Sequence, residues 1–241
     1  MFALWICFAT GGFVMTTVFV MNQLVWDKES KMRETLKIMS LNRWAYALSY
    51  WITQSIFAVL TAVSLFAGYF IAVNSEGVIE EKTSRQNMSL LGGLILFGLN
   101  MVSMSMALST MFGDSKFSTY AGMLLMFLPA ALLFYTFIDI FGNSVLNLVD
   151  YKPYYYEFVF ELLYILPHFS FGRILLEYLV NHGRPYFLFT MIMPLKIRYA
   201  WYAQIFTIVF YFLLYIYLDA IVPNAYGIAS PCCFCIKKGK K

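Results

Sequence analysis

The side chains that most often carry catalysis or bind metals are scarce in this chain. It has two histidines, His168 and His182, which is too few for the multi-histidine metal sites of membrane desaturases. His168 stands in the run Leu-Pro-His-Phe, where a catalytic histidine of the acyltransferase type would need a partner to orient it. No carboxylate lies at a suggestive spacing. We therefore expect His168 to make a structural hydrogen bond, and the chain to hold no catalytic or metal site.

Three of the four cysteines, Cys232, Cys233 and Cys235, lie together near the end of the chain. The spacing C-C-x-C, with no second cluster or histidine pair, is a poor match to zinc sites. Lysines follow within residues 237–241, and cysteines beside a basic stretch are typical of palmitoylation at an anionic membrane surface. The alternative is that residues 223–241, a Cys/Lys-rich cytoplasmic tail, are a linker to a further domain.

Gln54, Asn100 and Ser103 interrupt runs that are otherwise apolar. In a membrane such side chains form hydrogen bonds between helices or line a path for the polar part of a substrate. Ser103 and Ala107 are also four residues apart, and this small-xxx-small spacing favours close helix packing. Both the packing role and the substrate role remain open from the sequence.

The composition excludes a water-soluble protein. Of 241 residues, 61% are hydrophobic and 12% are charged, and the mean hydropathy is +0.70. A soluble domain has about 25% charged residues, and a chain of this size leaves a large share of its surface exposed. The net charge of +4 is too small and too scattered for nucleic-acid binding. We therefore predict an all-α integral membrane protein.

Five apolar stretches are long enough to cross a bilayer, which takes about 20 residues in a helix. Barrel strands would alternate apolar and polar residues, and these stretches do not. The five predicted transmembrane helices, which make up a membrane domain of residues 1–222, cover residues 2–25, 44–73, 88–112, 117–141 and 199–222.

The basic residues predict the orientation of these spans. The connection after the first span contains five Lys or Arg residues, and the chain ends in Lys-Lys-Gly-Lys-Lys. Because cytoplasmic loops carry an excess of Lys and Arg, we expect this connection and the C-terminus to be cytoplasmic. The N-terminus then lies outside or in a lumen, from which we expect a further span to precede this chain.

The long segment between the fourth and fifth spans contains two apolar runs that are too short to cross a bilayer and are bracketed by prolines. Runs of about 10–14 apolar residues are more often re-entrant or interfacial. We predict an outer re-entrant helical hairpin over residues 154–195, with Phe169, Phe171 and Tyr154–Tyr156 at the level of the lipid headgroups. Two full spans are the alternative.

Residues 27–43 predict an amphipathic cytoplasmic helix that joins the first two spans. Asp27 and Glu29 suit the start of a helix, where the dipole is positive. Met32, Leu36 and Met39 recur at helical spacing and form one apolar stripe. Such a helix either lies on the surface of anionic lipid or is a coupling helix. A coupling helix docks its apolar stripe into a cytoplasmic partner and transmits that partner's movement to the membrane spans.

Several motifs resemble ABC transporters of the A subfamily, in the order in which that family has them. The segment Glu-Ser-Lys-Met-Arg-Glu at residues 29–34, followed by Met-Ser-Leu at 39–41, is similar to the segment after the family's second span. Further matching stretches are Leu-Ser-Tyr-Trp at 48–51, Leu-Ser-Thr-Met-Phe at 108–112, Leu-Pro-His-Phe-Ser-Phe-Gly-Arg at 166–173, and Tyr-Leu-Asp at 217–219 with Pro-Asn-Ala-Tyr-Gly at 223–227. Ser40 and Asn224 depart from the glycines that the family usually has at these positions.

The resemblance implies spans two to six of one transmembrane half, without the family's first span, exoplasmic domain and nucleotide-binding domain. No phosphate-loop or signature motif occurs in the 241 residues, so the chain itself is expected to hydrolyse nothing. ATP and Mg would bind a nucleotide-binding domain elsewhere, and the complete transporter would be an ATP-dependent translocase of lipids or amphiphiles. Its partners would be that domain, a second transmembrane half and membrane lipids, and no nucleic acid.

The resemblance also assigns roles to residues of this chain. The outer hairpin would include Pro167, His168, Phe169, Gly172 and Arg173. Coupling to the nucleotide-binding domain would fall to Glu29, Met32, Arg33, Glu34, Leu36 and Met39. The alternative function is a stand-alone membrane scaffold or regulator derived from a transporter half and no longer coupled to an ATPase.

Overall fold

The computed structural model describes residues 2–32, 35, 39, 42–75, 84–125, 127–128, 131, 164–180 and 197–221. These residues form helices and turns, and none of them lies in a strand, which confirms the predicted all-α class for this part of the chain. The helices are α1 (Phe2–Glu29), α2 (Arg43–Ser75), α3 (Ser84–Ser109), α4 (residues 115–125), α5 (Pro167–Val180) and α6 (Ile197–Ile221).

Three helices in the described part are long and apolar enough to cross a membrane. They are Trp44–Ile71 in α2, Leu90–Ser109 in α3 and Ala200–Ile221 in α6, and they coincide with three of the five predicted spans. The predicted span 2–25 lies within α1, which has 28 residues. Span 117–141 is helical where it is described, at residues up to 125 and at 127–128 and 131, and its remainder lies outside the described residues.

Helix α3 is the centre of the bundle and contacts α1, α2, α5 and α6. Its span is 72% buried inside the protein, against 28% for α2 and 22% for α6, whose exposed faces are apolar. Small residues on α3 allow this packing. A Cβ atom at Gly98 would lie 2.8 Å from Cε1 of Phe13 on α1 and 3.4 Å from the Cβ of Ala58 on α2. Only a glycine lets three helices meet at this distance.

Helix α1 ends later than the sequence predicts. Asp27 and Glu29, which we expected in the first turn of a separate amphipathic helix, lie in the last turn of α1. Lys31 then adopts a φ of 59°, in the left-handed region. The segment that follows is therefore not continuous with α1, contrary to the prediction of a helix that joins the first two spans. Helix α1 continues through residues 26–29 because they contain no helix breaker. It ends at Glu29, just before the backbone adopts the left-handed conformation at Lys31.

Candidate functional site

Three consecutive charged residues at the end of α1 bond to three other parts of the bundle. The carboxylate of Asp27 accepts a hydrogen bond from the Tyr46 hydroxyl, in the first turns of α2, at 2.9 Å. The ammonium group of Lys28 donates to the carbonyl of Ser109, the last residue of α3, at 2.7 Å. The last carbonyls of a helix have no partner within the helix and carry partial negative charge, so Lys28 caps α3.

The third residue, Glu29, bonds to the start of α4. Its Oε2 atom accepts a hydrogen bond from the backbone N–H of Ser115 at 3.3 Å, at the positive end of that helix. We call Asp27, Lys28 and Glu29 with these partners the α1 junction. Sequence reasoning grouped Glu29 with the residues that face a partner, whereas in the structure its carboxylate contacts its own chain. The junction fixes the ends of α2, α3 and α4 to the end of α1.

The segment after the junction presents methionines to the outside. Thr35 N–H donates to the Lys31 carbonyl and Met39 N–H to the Thr35 carbonyl, the hydrogen-bond spacing of an α-helix. The Met32 side chain is 54% exposed and that of Met39 is 72% exposed. Of the other residues predicted to couple to a partner, Arg33, Glu34 and Leu36 lie outside the described residues.

The polar residues predicted within the spans lie at contacts between helices. Asn100 on α3 donates through Nδ2 to the carbonyl of Gln204, at 3.0 Å, and to the hydroxyl of Thr207, at 2.7 Å, both on α6. Ser103 accepts a hydrogen bond from the indole N–H of Trp51 on α2 at 2.9 Å.

Gln54, three residues after Trp51 on α2, bonds to α1. Its Nε2 atom donates to Oε1 of Gln23 at 3.3 Å, and the hydroxyl of Tyr50 donates to the same oxygen at 3.2 Å. A buried polar side chain that holds two helices together in lipid contributes about 0.6 kcal/mol on average, and up to about 2 kcal/mol.

Helix α5 begins beside the middle of α3. The Tyr211 hydroxyl on α6 donates to the carbonyl of Ile165, just before α5, at 2.8 Å. The ring of Phe171 stacks on Phe97 of α3 with a centroid distance of 4.4 Å. Farther along α5, a Cβ atom at Gly93 of α3 would lie 3.1 Å from Ile174. Helix α5 therefore begins beside the middle of α3 and runs antiparallel to it, and the re-entrant hairpin over residues 154–195 stays a prediction.

The predicted place of the hairpin aromatics is wrong for Phe169 and Phe171. Both are buried, and Phe171 packs on the central helix instead of lying at headgroup level. Their burial follows from the close approach of α5 to α3, where the aromatic face of α5 meets Phe97. Pro167 and Gly172 are buried with them. The side chain of Arg173, residues 154–163 with Tyr154–Tyr156, and residues 181–195 lie outside the described part of the structure.

His168 is buried and its ring contacts Phe97 edge-on at a centroid distance of 5.6 Å. Neither ring nitrogen has a hydrogen-bond partner among the described residues, so the structural hydrogen bond predicted for His168 is not formed there. The α3 side chain that the imidazole contacts, Phe97, offers no hydrogen-bond partner to either ring nitrogen. In the described part of the chain, no three His, Cys, Asp or Glu side chains lie close enough to hold a metal ion.

Comparison with known proteins gives the family. A family model described as "ABC-2 family transporter protein" matches residues 1–218. The chain belongs to this family. A relative in Dictyostelium discoideum, "ABC transporter A family member 7", is 28% identical over 231 residues. The alignment covers 92% of this ABC-2 chain and 24% of that protein, so the chain spans about a quarter of the relative's length. The resemblance to A-subfamily ABC transporters is thereby confirmed.

Sequence reasoning missed several residues of this ABC-2 domain. From the sequence, Lys28 counts only as one of the positive charges after the first span, and its place two residues after the apolar run that ends at Trp26 is the available signal for a helix-end contact. Gln204 and Thr207 are three residues apart in the most apolar span, which places them on one helix face. That spacing predicts a polar contact with another helix, and the structure supplies Asn100 as its partner. The cysteines Cys232, Cys233 and Cys235 lie outside the described residues.

Proposed function

We propose that the chain is the membrane-spanning part of an ATP-driven transporter of lipids or other amphiphiles. ATP, with Mg²⁺, binds and is hydrolysed on a nucleotide-binding domain, and this domain pushes on the segment between α1 and α2. The push changes the access of a cavity shared with a second transmembrane half. The membership of the ABC-2 family and the likeness to an ABC transporter of the A family support this proposal.

The α1 junction is the observation that carries the mechanism. Asp27, Lys28 and Glu29 link the end of α1 to the ends of three other helices. A displacement of the segment that begins at Lys31 therefore moves α1, α2, α3 and α4 together at this end. A partner shifts the equilibrium between two access states only if it binds them with different affinity. The exposed side chains of Met32 and Met39 give such a partner an apolar surface to contact.

The charge distribution supports a cytoplasmic position for this end. Lys28, Lys31 and Lys116 lie at the junction or within a turn of it, and the chain ends in a lysine cluster. In the proposed orientation, the N-terminus and the α5 hairpin lie on the outer side or in a lumen, and the C-terminus is cytoplasmic.

The test is charge substitution of the two exposed methionines in the complete transporter, including its nucleotide-binding domain. We expect Met32→Glu with Met39→Glu to lower ATP-dependent transport by about tenfold or more, measured with a fluorescent ceramide and a fluorescent phospholipid in parallel, in phosphatidylcholine vesicles, on whichever of the two the parental protein moves. Burying a carboxylate against an apolar docking surface is costly and breaks the coupling.

The control is Ser30→Glu, which adds one negative charge at an exposed polar position two residues before Met32 and leaves both methionines in place. It should transport at the parental rate. Unchanged transport by the methionine variants would contradict the proposed coupling. Purification in mild detergent gives a second measurement, because a protein that purifies without any ATPase would favour the scaffold or regulator function instead.

A further inference from the structure

Three buried polar side chains, one on each of the mutually packed helices α3, α5 and α6, have atoms without a hydrogen-bond partner in the described part of the structure. These atoms are both ring nitrogens of His168, Oδ1 of Asn100, and both Oε1 and Nε2 of Gln204. The side chains are 1%, 0% and 0% exposed, respectively. Three helices thus each contribute an unsatisfied polar group to the interior of the bundle.

The register of the helices places these groups at one level. Along antiparallel α5, Ile174 lies against Gly93 and Phe171 stacks on Phe97, so each step of three residues on α5 matches about one turn of α3. One further step puts His168 level with Asn100. The backbone of Gln204 is at the same level, because its carbonyl accepts the hydrogen bond from Asn100, and its side chain starts from there.

Such groups are costly where they stand. A buried polar atom that has lost water and gained no partner costs about 1–3 kcal/mol. Leucine in place of Gln204, or phenylalanine in place of His168, would fill the same space without that cost. Unsatisfied groups gathered at one place in a native fold therefore indicate a hydrogen-bonding partner in another state of the protein.

The chemistry of the cluster selects the kind of partner. The free Oδ1 atom of Asn100 is an acceptor. The Gln204 side chain has one acceptor, Oε1, and an NH2 group that can donate two hydrogen bonds. Burial disfavours an imidazolium, so His168 offers one donor and one acceptor. The described side chains of α3 at 90–109 and of α6 at 200–218 include no Asp, Glu, Lys or Arg. Among these described side chains of α3 and α6, a phosphate or ammonium group would lose its hydration and meet no opposite charge.

We propose that His168, Asn100 and Gln204 form a binding site for the hydroxyl group of an uncharged amphiphile. This inference rests on the proposed transport function and adds the substrate class to it. In the present structure the first turn of α5 covers the site, seated by the hydrogen bond from Tyr211 to Ile165 and by the stack of Phe171 on Phe97. The site opens when that turn moves away from α3 and α6 far enough to admit a ligand hydroxyl, which then donates to and accepts from His168 on one side and Asn100 and Gln204 on the other.

The test uses a photoreactive diacylglycerol with a diazirine in its acyl chain, added to phosphatidylcholine vesicles that contain the complete transporter. Cross-linked peptides are mapped by mass spectrometry, with unlabelled diacylglycerol or phosphatidic acid as competitor. These two competitors carry the same acyl chains and differ only in the headgroup, which is a hydroxyl in diacylglycerol and a phosphate in phosphatidic acid. We expect labelling of α3 and α6 peptides that diacylglycerol displaces at about tenfold lower concentration than phosphatidic acid.

The variants Gln204→Leu and His168→Phe separate a binding role from a structural one. We expect each to lower the displaceable labelling by about tenfold, which corresponds to about 1.4 kcal/mol for a lost hydrogen bond. Each should also keep or raise the thermal unfolding temperature, because neither side chain has a hydrogen bond to lose. Ser105→Ala is the control, since its buried hydroxyl on α3 bonds only within its own helix, to the Val102 carbonyl.

Equal displacement by both competitors, or parental labelling of the Gln204→Leu protein, would overturn the proposed site. A fall in the unfolding temperature of both variants would overturn it too, because it would assign the polar groups to folding. Each of these results leaves ATP-dependent transport untouched, so the proposed function stands or falls separately on the Met32 and Met39 variants.

Discussion

At the scale of single residues, Lys28 is the side chain whose contact has the clearest energetic consequence. It is half-buried and bonds to the free carbonyl at the end of α3. A cation at a helix C-terminus contributes about 0.3–1 kcal/mol, and up to about 2 kcal/mol when partly buried. Its neighbour Glu29 makes a longer hydrogen bond and is exposed, so solvent screens its charge.

We therefore predict that Lys28→Met destabilises the protein by about 1 kcal/mol, measured as the shift in thermal unfolding in detergent micelles. Methionine keeps the apolar stem and removes the donor and the charge. Lys116→Met is the matched control, because Lys116 is an exposed lysine at the same end of the bundle. Equal shifts for the two variants would show that the bond from Lys28 to Ser109 contributes nothing specific.

At the scale of helices, the central position of α3 depends on its small residues. Gly98 lies against α1 and α2 together, and an added methyl group would meet Phe13 at 2.8 Å. By contrast, a Cβ atom at Gly68 of α2 would meet nothing within 4 Å. The same substitution at these two glycines therefore has opposite expected effects.

We predict that Gly98→Ala lowers stability by about 1–3 kcal/mol through overpacking. Gly68→Ala should be neutral or stabilising by up to about 1 kcal/mol, because alanine favours a helix more than glycine does. Thermal unfolding of both variants under one detergent condition measures the difference. Similar destabilisation by the two substitutions would contradict the packing described for α3.

The helices themselves follow from the apolar runs, since a run of about 20 apolar residues has few options other than a membrane helix. The boundaries were harder to predict. In isolation Asp27 and Glu29 favour the start of a helix, and their place in the last turn of α1 depends on partners 19 and 86 residues away. The burial of Phe171 likewise depends on Phe97, which lies on a different helix. Contacts of this kind leave no local pattern in the sequence.

At the scale of the whole molecule, two polar regions occupy different depths of one bundle. The α1 junction ties four helices together at one end, and the cluster of His168, Asn100 and Gln204 lies near the middle of α3 under α5. Of this cluster, Asn100 is predictable as a polar residue within an apolar run, whereas Gln204 was missed. The common level of the three side chains was not predictable, because it is set by the register of α5 and α6 on α3.

The connection between these regions is α3, which is buried along most of its length and contacts both. Lys28 holds its last residue, and Asn100 bonds it to α6 near its middle. In the proposed transporter, a displacement of the α1 junction therefore moves α3, and α3 in turn displaces the helices that surround the polar cluster. This account requires that the junction and the segment with Met32 and Met39 face the compartment that contains ATP.

The most direct measurement is side-specific labelling of a single cysteine at Met39 in sealed membrane vesicles. The four native cysteines are replaced by serine, Met39→Cys is introduced, and a membrane-impermeant maleimide is applied from one side at a time. Met39 is 72% exposed, so the thiol is accessible to the reagent. We predict labelling from the cytoplasmic side alone. Labelling from the outer or lumenal side alone would contradict the orientation, and with it the proposed coupling of this membrane domain to an ATPase.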